Sequence, residues 1–138
     1  MDLKKSIAEQ IIYHSSIPMR VAMSHKNTIA TFIPTDTSFQ SMLVIVDKTL
    51  NPLFSYITNA YIFGVTLSDS GRYSACVTAS SPTKDKDGDS IFFVDIKNNI
   101  VNKYMSPVHC KYIKGLFIDE LNKKIFIKCK DRSFTINF

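Results

Sequence analysis

The residues best suited to chemistry are few and scattered. His109-Cys110 is the only neighbouring pair of soft metal ligands, and it also sets a thiol beside a base. A nucleophilic Cys–His pair needs both side chains to converge, whereas neighbours on an extended strand point to opposite faces. Zinc needs four protein ligands, or three and a water, and Cys76, Cys129, His14 and His25 stand at no ligand-like spacing. His14 and His25 also form no convergent acid–base constellation. The acidic segment Asp85-Lys86-Asp87-Gly88-Asp89-Ser90 departs from a calcium loop. Its glycine falls between the second and third acids, the twelfth position is Ile96 rather than glutamate, and Lys84 and Lys86 oppose a cation. A solvated Asp-Gly turn is the simpler reading. The four glycines, Gly64, Gly71, Gly88 and Gly115, are not clustered, which disfavours a phosphate-cradling loop. The sequence therefore predicts no catalytic group, no metal site and no cofactor.

Binding chemistry is better represented. In Lys123-Lys124-Ile125-Phe126-Ile127-Lys128-Cys129-Lys130, strand alternation puts Ile125, Ile127 and Cys129 on one face and Lys124, Phe126, Lys128 and Lys130 on the other. The first face is core. The second is a basic stripe with an aromatic in it, suited to an acidic protein surface or a nucleic-acid backbone, or else a solvated strand whose lysines guard a sheet edge. Lys111, Tyr112, Lys114 and Arg132 extend the same candidate surface. Charge agrees with this placement. From Lys97 onward nine basic residues meet three acidic ones, giving +6, while the preceding residues carry −1, for a total of +5. A basic third attracts acidic partners.

The elements that must position this stripe are strands. The chain has 138 residues, 45% hydrophobic and 21% charged, a composition suited to one packed domain. Isoleucine and phenylalanine are abundant and tryptophan is absent, which favours pleated surfaces. No apolar run approaches the roughly 20 residues of a membrane-spanning helix. The N-terminal segment, with Glu9, Gln10 and His14, lacks the apolar core of an export signal. With three cysteines in no close-spaced pair, the expectation is reduced thiols and a cytoplasmic protein.

Short apolar segments recur between turn clusters. One series is Met19–Ser24, Thr28–Ile33, Met42–Val46 and Leu53–Ile57. A second is Ile62–Leu67, Arg72–Ala79, Ile91–Ile96 and Ile100–Met105. A third is Lys114–Ile118, Lys124–Cys129 and Ser133–Phe138. Such evenly spaced strands indicate a sandwich, barrel or propeller. Val21-Ala22-Met23-Ser24 lies over Val65-Thr66-Leu67-Ser68, Val46-Asp47 lies over Val94-Asp95, and Leu116-Phe117-Ile118-Asp119 and Phe134-Thr135-Ile136-Asn137 repeat the two patterns. A unit of about 40 to 50 residues with four strands is blade-sized.

These units resemble WD-type and kelch-like propeller blades, with Asp47 and Asp95 where the WD family's third strand ends in an acid. Val46 and Val94 stand in place of that family's tryptophan, and its opening Gly-His is missing. The resemblance implies an all-β, mainly antiparallel fold of about three four-stranded blades in an open arc, over repeat-like units 19–57, 62–105 and 114–138 of a single domain 1–138. Three blades are fewer than the usual ring of about 4 to 8, so a face or an edge must be covered. Residues 3–13 offer two repairs. Leu3, Ile7 and Ile11 share a helical face behind an Asp2 N-cap, giving a short helix over the sheet. Alternatively, Gln10-Ile11-Ile12-Tyr13 is a closing strand for the third unit. A homodimer of two arcs is a third repair.

The functional expectation is a non-catalytic protein-binding module. Its most specific version is a bacterial immunity protein that binds and neutralises a toxin domain. A nucleic-acid-binding protein using the basic third and half of an oligomeric propeller scaffold are the alternatives.

Overall fold

A computed structural model describes residues 2–14, 20–26, 28–35, 40–79, 90–105, 113–130 and 132–138. The fold is all-β with one N-terminal helix, and its sheets are open. Helix α1 (Leu3–His14) precedes eleven strands: β1 (Val21–Met23), β2 (Ile29–Pro34), β3 (Ser41–Val46), β4 (Pro52–Thr58), β5 (Tyr61–Leu67), β6 (Tyr73–Ala79), β7 (Ser90–Asp95), β8 (Ile100–Met105), β9 (Ile113–Asp119), β10 (Lys124–Cys129) and β11 (Ser133–Asn137). They form three antiparallel meanders, β1-β2-β3-β4, β5-β6-β7-β8 and β9-β10-β11. Every strand falls on an apolar segment expected from the sequence. The first two sheets have four strands each and the third has three among the described residues, matching the three apolar segments of the third series.

Alternation of side chains across each strand divides the core into three layers. Ala30, Phe32, Leu43, Ile45 and Phe54 of the first sheet pack on Val65, Leu67, Cys76, Phe92 and Val94 of the second. The opposite face of the second, through Tyr73, Ala75, Val77, Ile91 and Phe93, packs on Ile118, Ile125, Ile127 and Cys129 of the third. A sheet buried on both faces needs apolar residues at successive positions, and Ile91-Phe92-Phe93-Val94 supplies them.

The third layer lies on the outer face of the first sheet, where Ile7 of α1 is wholly buried against Ile29, Ile33, Val44 and Val46, flanked by Leu3 and Ile11. The helix begins where expected, with the Asp2 carboxylate accepting from the Lys5 backbone N–H at 3.2 Å. Residues 10–13 are therefore helical rather than a closing strand. The spacing of Leu3, Ile7 and Ile11 builds a one-faced helix, and its apolar stripe is used on the first sheet instead of the third.

The hairpin turns share a device. Ser24 Oγ accepts from Thr28 N at 3.1 Å, and Ser68 Oγ accepts from Tyr73 N at 3.0 Å. At the same place in the third sheet, Asp119 accepts from the Asn122 backbone and side chain at 3.1 and 2.8 Å. Asp47 and Asp95 close the turns after β3 and β7 in the same manner, with Thr49 and Asn51 in one case and Asn98 in the other. Leu50, Asn99 and Lys123 take positive φ in these three turns. The acids that resembled a blade signature thus act as turn caps.

Of the described cysteines, Cys76 is a buried free thiol and Cys129 is disulfide-bonded. The expectation of uniformly reduced thiols fails at Cys129. Close spacing in sequence is no requirement for a disulfide, because folding decides which sulfurs meet.

Candidate docking surface

The stripe on β10 lies on the outward face of the third sheet, away from the second. Its neighbours follow from register. Phe126 pairs with Phe117 of β9 and Thr135 of β11. Lys128 pairs with Gly115 and Ser133, and Lys124 with Asp119 and Asn137. These nine positions form one face. Phe117 and Phe126 are 56% and 41% exposed, with ring centroids 6.3 Å apart. Beside them Gly115 contributes no side chain, which leaves a groove of about 600 Å³ lined by Gly115, Phe117, Phe126, Lys128, Ser133 and Thr135 together with the sheet itself.

The charge of this face is positive. Lys124 and Lys128 are exposed on it, and Asp119 is its acid. Asp119 is already committed to the Asn122 side chain and then to backbone N–H groups, which hold its carboxyl below the ordinary range. Lys130 and Arg132 are exposed at the turn between β10 and β11, and Lys114 is exposed at the β-bulge opposite Lys128 and Cys129. Of the sequence candidates, Lys124, Phe126 and Lys128 therefore share a face, while Lys114, Lys130 and Arg132 sit near its rim. Lys111 and Tyr112 lie outside the described residues. Phe117 was missed, although a strand reading of Leu116-Phe117-Ile118 that buries Leu116 and Ile118 necessarily turns Phe117 outward.

The remaining chemical candidates do not assemble into a site. His25 is 85% exposed and lies 3.8 Å from Asp69. Cys76, fully enclosed between the first two sheets, has its thiol pushed up to about 12 by burial, which suppresses the thiolate that would react. His109, Cys110 and the loop Asp85–Asp89 lie outside the described residues, as does the side chain of His14. Among the described residues no three His, Cys, Asp or Glu side chains group as a metal site. No described helix is long and apolar enough to cross a membrane.

No protein-family model and no curated protein matches the chain. Solved structures do. Hydrazine synthase of Kuenenia stuttgartiensis aligns over 85% of this chain and 39% of its own, at a TM-score of 0.61 and 13% identity. A dihydro-heme d1 dehydrogenase NirN in complex with DHE aligns over 86% of this chain and 25% of its own, at a TM-score of 0.54 and 12% identity. Both are propeller-like, and at such identity the likeness concerns the fold alone. The chain spans well under half the length of either.

Proposed function

We propose that this chain is a non-catalytic protein-binding module whose docking surface is the outward face of the third sheet. The observation that carries the reading is the exposed pair Phe117 and Phe126 on a sheet face where a further layer would pack, bordered by Lys124 and Lys128. Aromatic anchors in a groove with a charged rim are what a protein interface uses to gain affinity and orientation. The complementary partner carries apolar side chains for the groove and carboxylates for the lysines. A ring closed by two copies is less well supported, because α1 occupies the outer face of the first sheet that the second copy would need.

The specific version inherited from the sequence is an immunity protein that neutralises a bacterial toxin domain from within the cytoplasm. Tight docking without chemistry is all that such a role demands. The disulfide at Cys129 weighs against a reducing compartment, so the docking role stands without that location. The deciding experiment co-expresses the chain with the toxin-like product of an adjacent gene and reads growth and co-purification. Rescue and complex formation that are lost in Phe117→Ala/Phe126→Ala support the reading, whereas neither rescue nor binding removes the immunity version.

The same lysines favour nucleic acid as the second reading. It requires retention on a polyanion that falls steeply with salt and disappears when Lys124, Lys128 and Lys130 become alanine. Retention unchanged by those substitutions counts against it.

A further inference from the structure

Among the described residues the third sheet has an uncovered edge as well as an uncovered face. In the first two sheets the third strand is covered by a fourth. β3 lies under β4 and β7 under β8, and Leu43, Ile45, Phe92 and Val94 on those third strands are essentially inaccessible. Strand β11 holds the same position in its sheet with nothing beyond it among the described residues. Its core-side residues Phe134 and Ile136, with Phe138 beyond, are accordingly only half-buried.

Edges are ordinarily protected by proline, lysine or inward charges. The two outer strands that stand at edges have such protection: β4 starts with Pro52 and β8 carries Lys103. Strand β11 reads Ser-Phe-Thr-Ile-Asn, with neither charge nor proline. Lys124 and Lys128 sit on β10, the middle strand, where they guard no edge, and Lys114 lies on β9 at the opposite edge from β11. Backbone polarity completes the picture. Phe138 N donates to Lys123 O at 2.9 Å and Cys129 N donates to Arg132 O at 2.8 Å. Even-numbered residues of β11 therefore face β10, and by alternation Ser133, Thr135 and Asn137 direct N–H and C=O outward.

From these observations we propose that β11 receives an extended strand of the partner as the fourth strand of the third sheet. This rests on the docking reading above and specifies its mode. The incoming segment is about five residues long and antiparallel like every neighbour in these sheets. It alternates apolar side chains, which extend the row of Phe134 and Ile136, with carboxylates on the face of Lys124 and Lys128. Main-chain bonds supply affinity in such additions and the alternating side chains supply selectivity.

The test uses a fluorescein-labelled synthetic peptide of about ten residues alternating Glu with Val or Phe, the upper end of common strand length. Fluorescence anisotropy measures its binding to the full chain. A counterpart with Lys in place of Glu should bind at least about tenfold more weakly. Thr135→Pro deletes an outward N–H without touching a bond to β10, and should also weaken binding at least about tenfold, while Thr135→Val, which keeps the N–H, should not. Amide exchange at Ser133, Thr135 and Asn137 of the unmodified chain should slow when the Glu peptide is added, which decides the matter if the proline variant does not fold. No binding, or binding and exchange indifferent to this edge, overturns the strand-addition inference. Retention of a protein partner that survives Thr135→Pro but is lost in Phe126→Asp would overturn it while leaving the docking face intact.

Discussion

The first and third sheets meet the same physical problem and resolve it differently. Each ends the stack with an outer face that no further sheet covers among the described residues. On the first, α1 lies across Ile29, Ile33, Val44 and Val46 and buries Ile7 completely. On the third, Phe117 and Phe126 stay open among lysines. The covered face consists almost wholly of aliphatic residues, as a core layer should. The open one mixes two aromatics with Lys124, Lys128, Ser133, Thr135 and Asn137, as a surface meant to meet both water and a partner should. An end face that served only to terminate the stack would have no reason to display two large rings.

The largest effect should come from breaking the covered face. Ile7→Ala removes a fully buried side chain and leaves a cavity, so a loss of about 3 kcal/mol is expected, read from the urea midpoint. The contrast with the other end would vanish if the loss were below about 1 kcal/mol, since α1 would then be an ornament on a sheet that needs no cover.

Second in size is the β5–β6 turn of the second sheet, which sits against the β1–β2 turn of the first. Gly71 has φ +78°, and a Cβ there would meet Thr28 Oγ1 at 2.8 Å and Ser24 Oγ at 3.0 Å. Gly71→Ala should cost about 1–3 kcal/mol in the same urea experiment through a strained φ and that contact. Gly115→Ala on the open face offers the comparison. Its Cβ would meet Lys128 Cβ at an ordinary 3.5 Å, so stability should change little while the groove becomes shallower.

Third, Phe126→Ala should lower stability by less than about 1 kcal/mol, because the ring is already 41% exposed and its removal opens no enclosed cavity. Its consequence should fall on partner binding. A stability loss as large as that of Ile7→Ala would mean that the ring belongs to the core, and the distinction between the two faces would collapse.

Most of this organisation was legible in the residues. Short apolar segments between turn clusters marked all the strands, and the spacing of Leu3, Ile7 and Ile11 marked the helix, because both are local patterns. The basic stripe on β10 was legible for the same reason. Phe117 was not singled out because its importance arises from pairing with Phe126, a register between strands that no local pattern states. The edge at β11 was also hidden, since Ser133–Asn137 looks like any other strand until its neighbours are counted. Asp95 and Asp119 each stand three residues before an asparagine, a turn signal that resemblance to a blade motif obscured. The disulfide at Cys129 lay beyond reach because it depends on folded distances.

The smallest expected effect concerns acid. Asp47, beside the covered face, accepts first from the Thr49 hydroxyl and then from Asn51, and its carboxyl is held down from 3.8 to about 2. At the open end, burial of Glu120 works to raise its pKa but is outweighed by hydrogen bonds from Ser68 and Ser70, so its carboxyl is also lowered. A depressed carboxylate binds fewer protons in the folded chain than in the unfolded one. Its contribution is therefore complete above the ordinary value and is lost as the pH falls through the lowered one, which for Asp47 means from 3.8 to about 2. Urea midpoints measured through that window should decline, and Asp47→Asn should flatten the decline slightly, because an exposed carboxylate is well screened by water. Glu120→Gln should flatten it too and should also loosen the third sheet's turn from Ser70, seen as faster amide exchange at Ser70, which donates its N–H to Glu120 at 3.1 Å. An acid response unchanged in both variants would show that the turn carboxylates are bystanders. A response altered only in Glu120→Gln would place the acid sensitivity at the open end, where the sheet has least else to hold it.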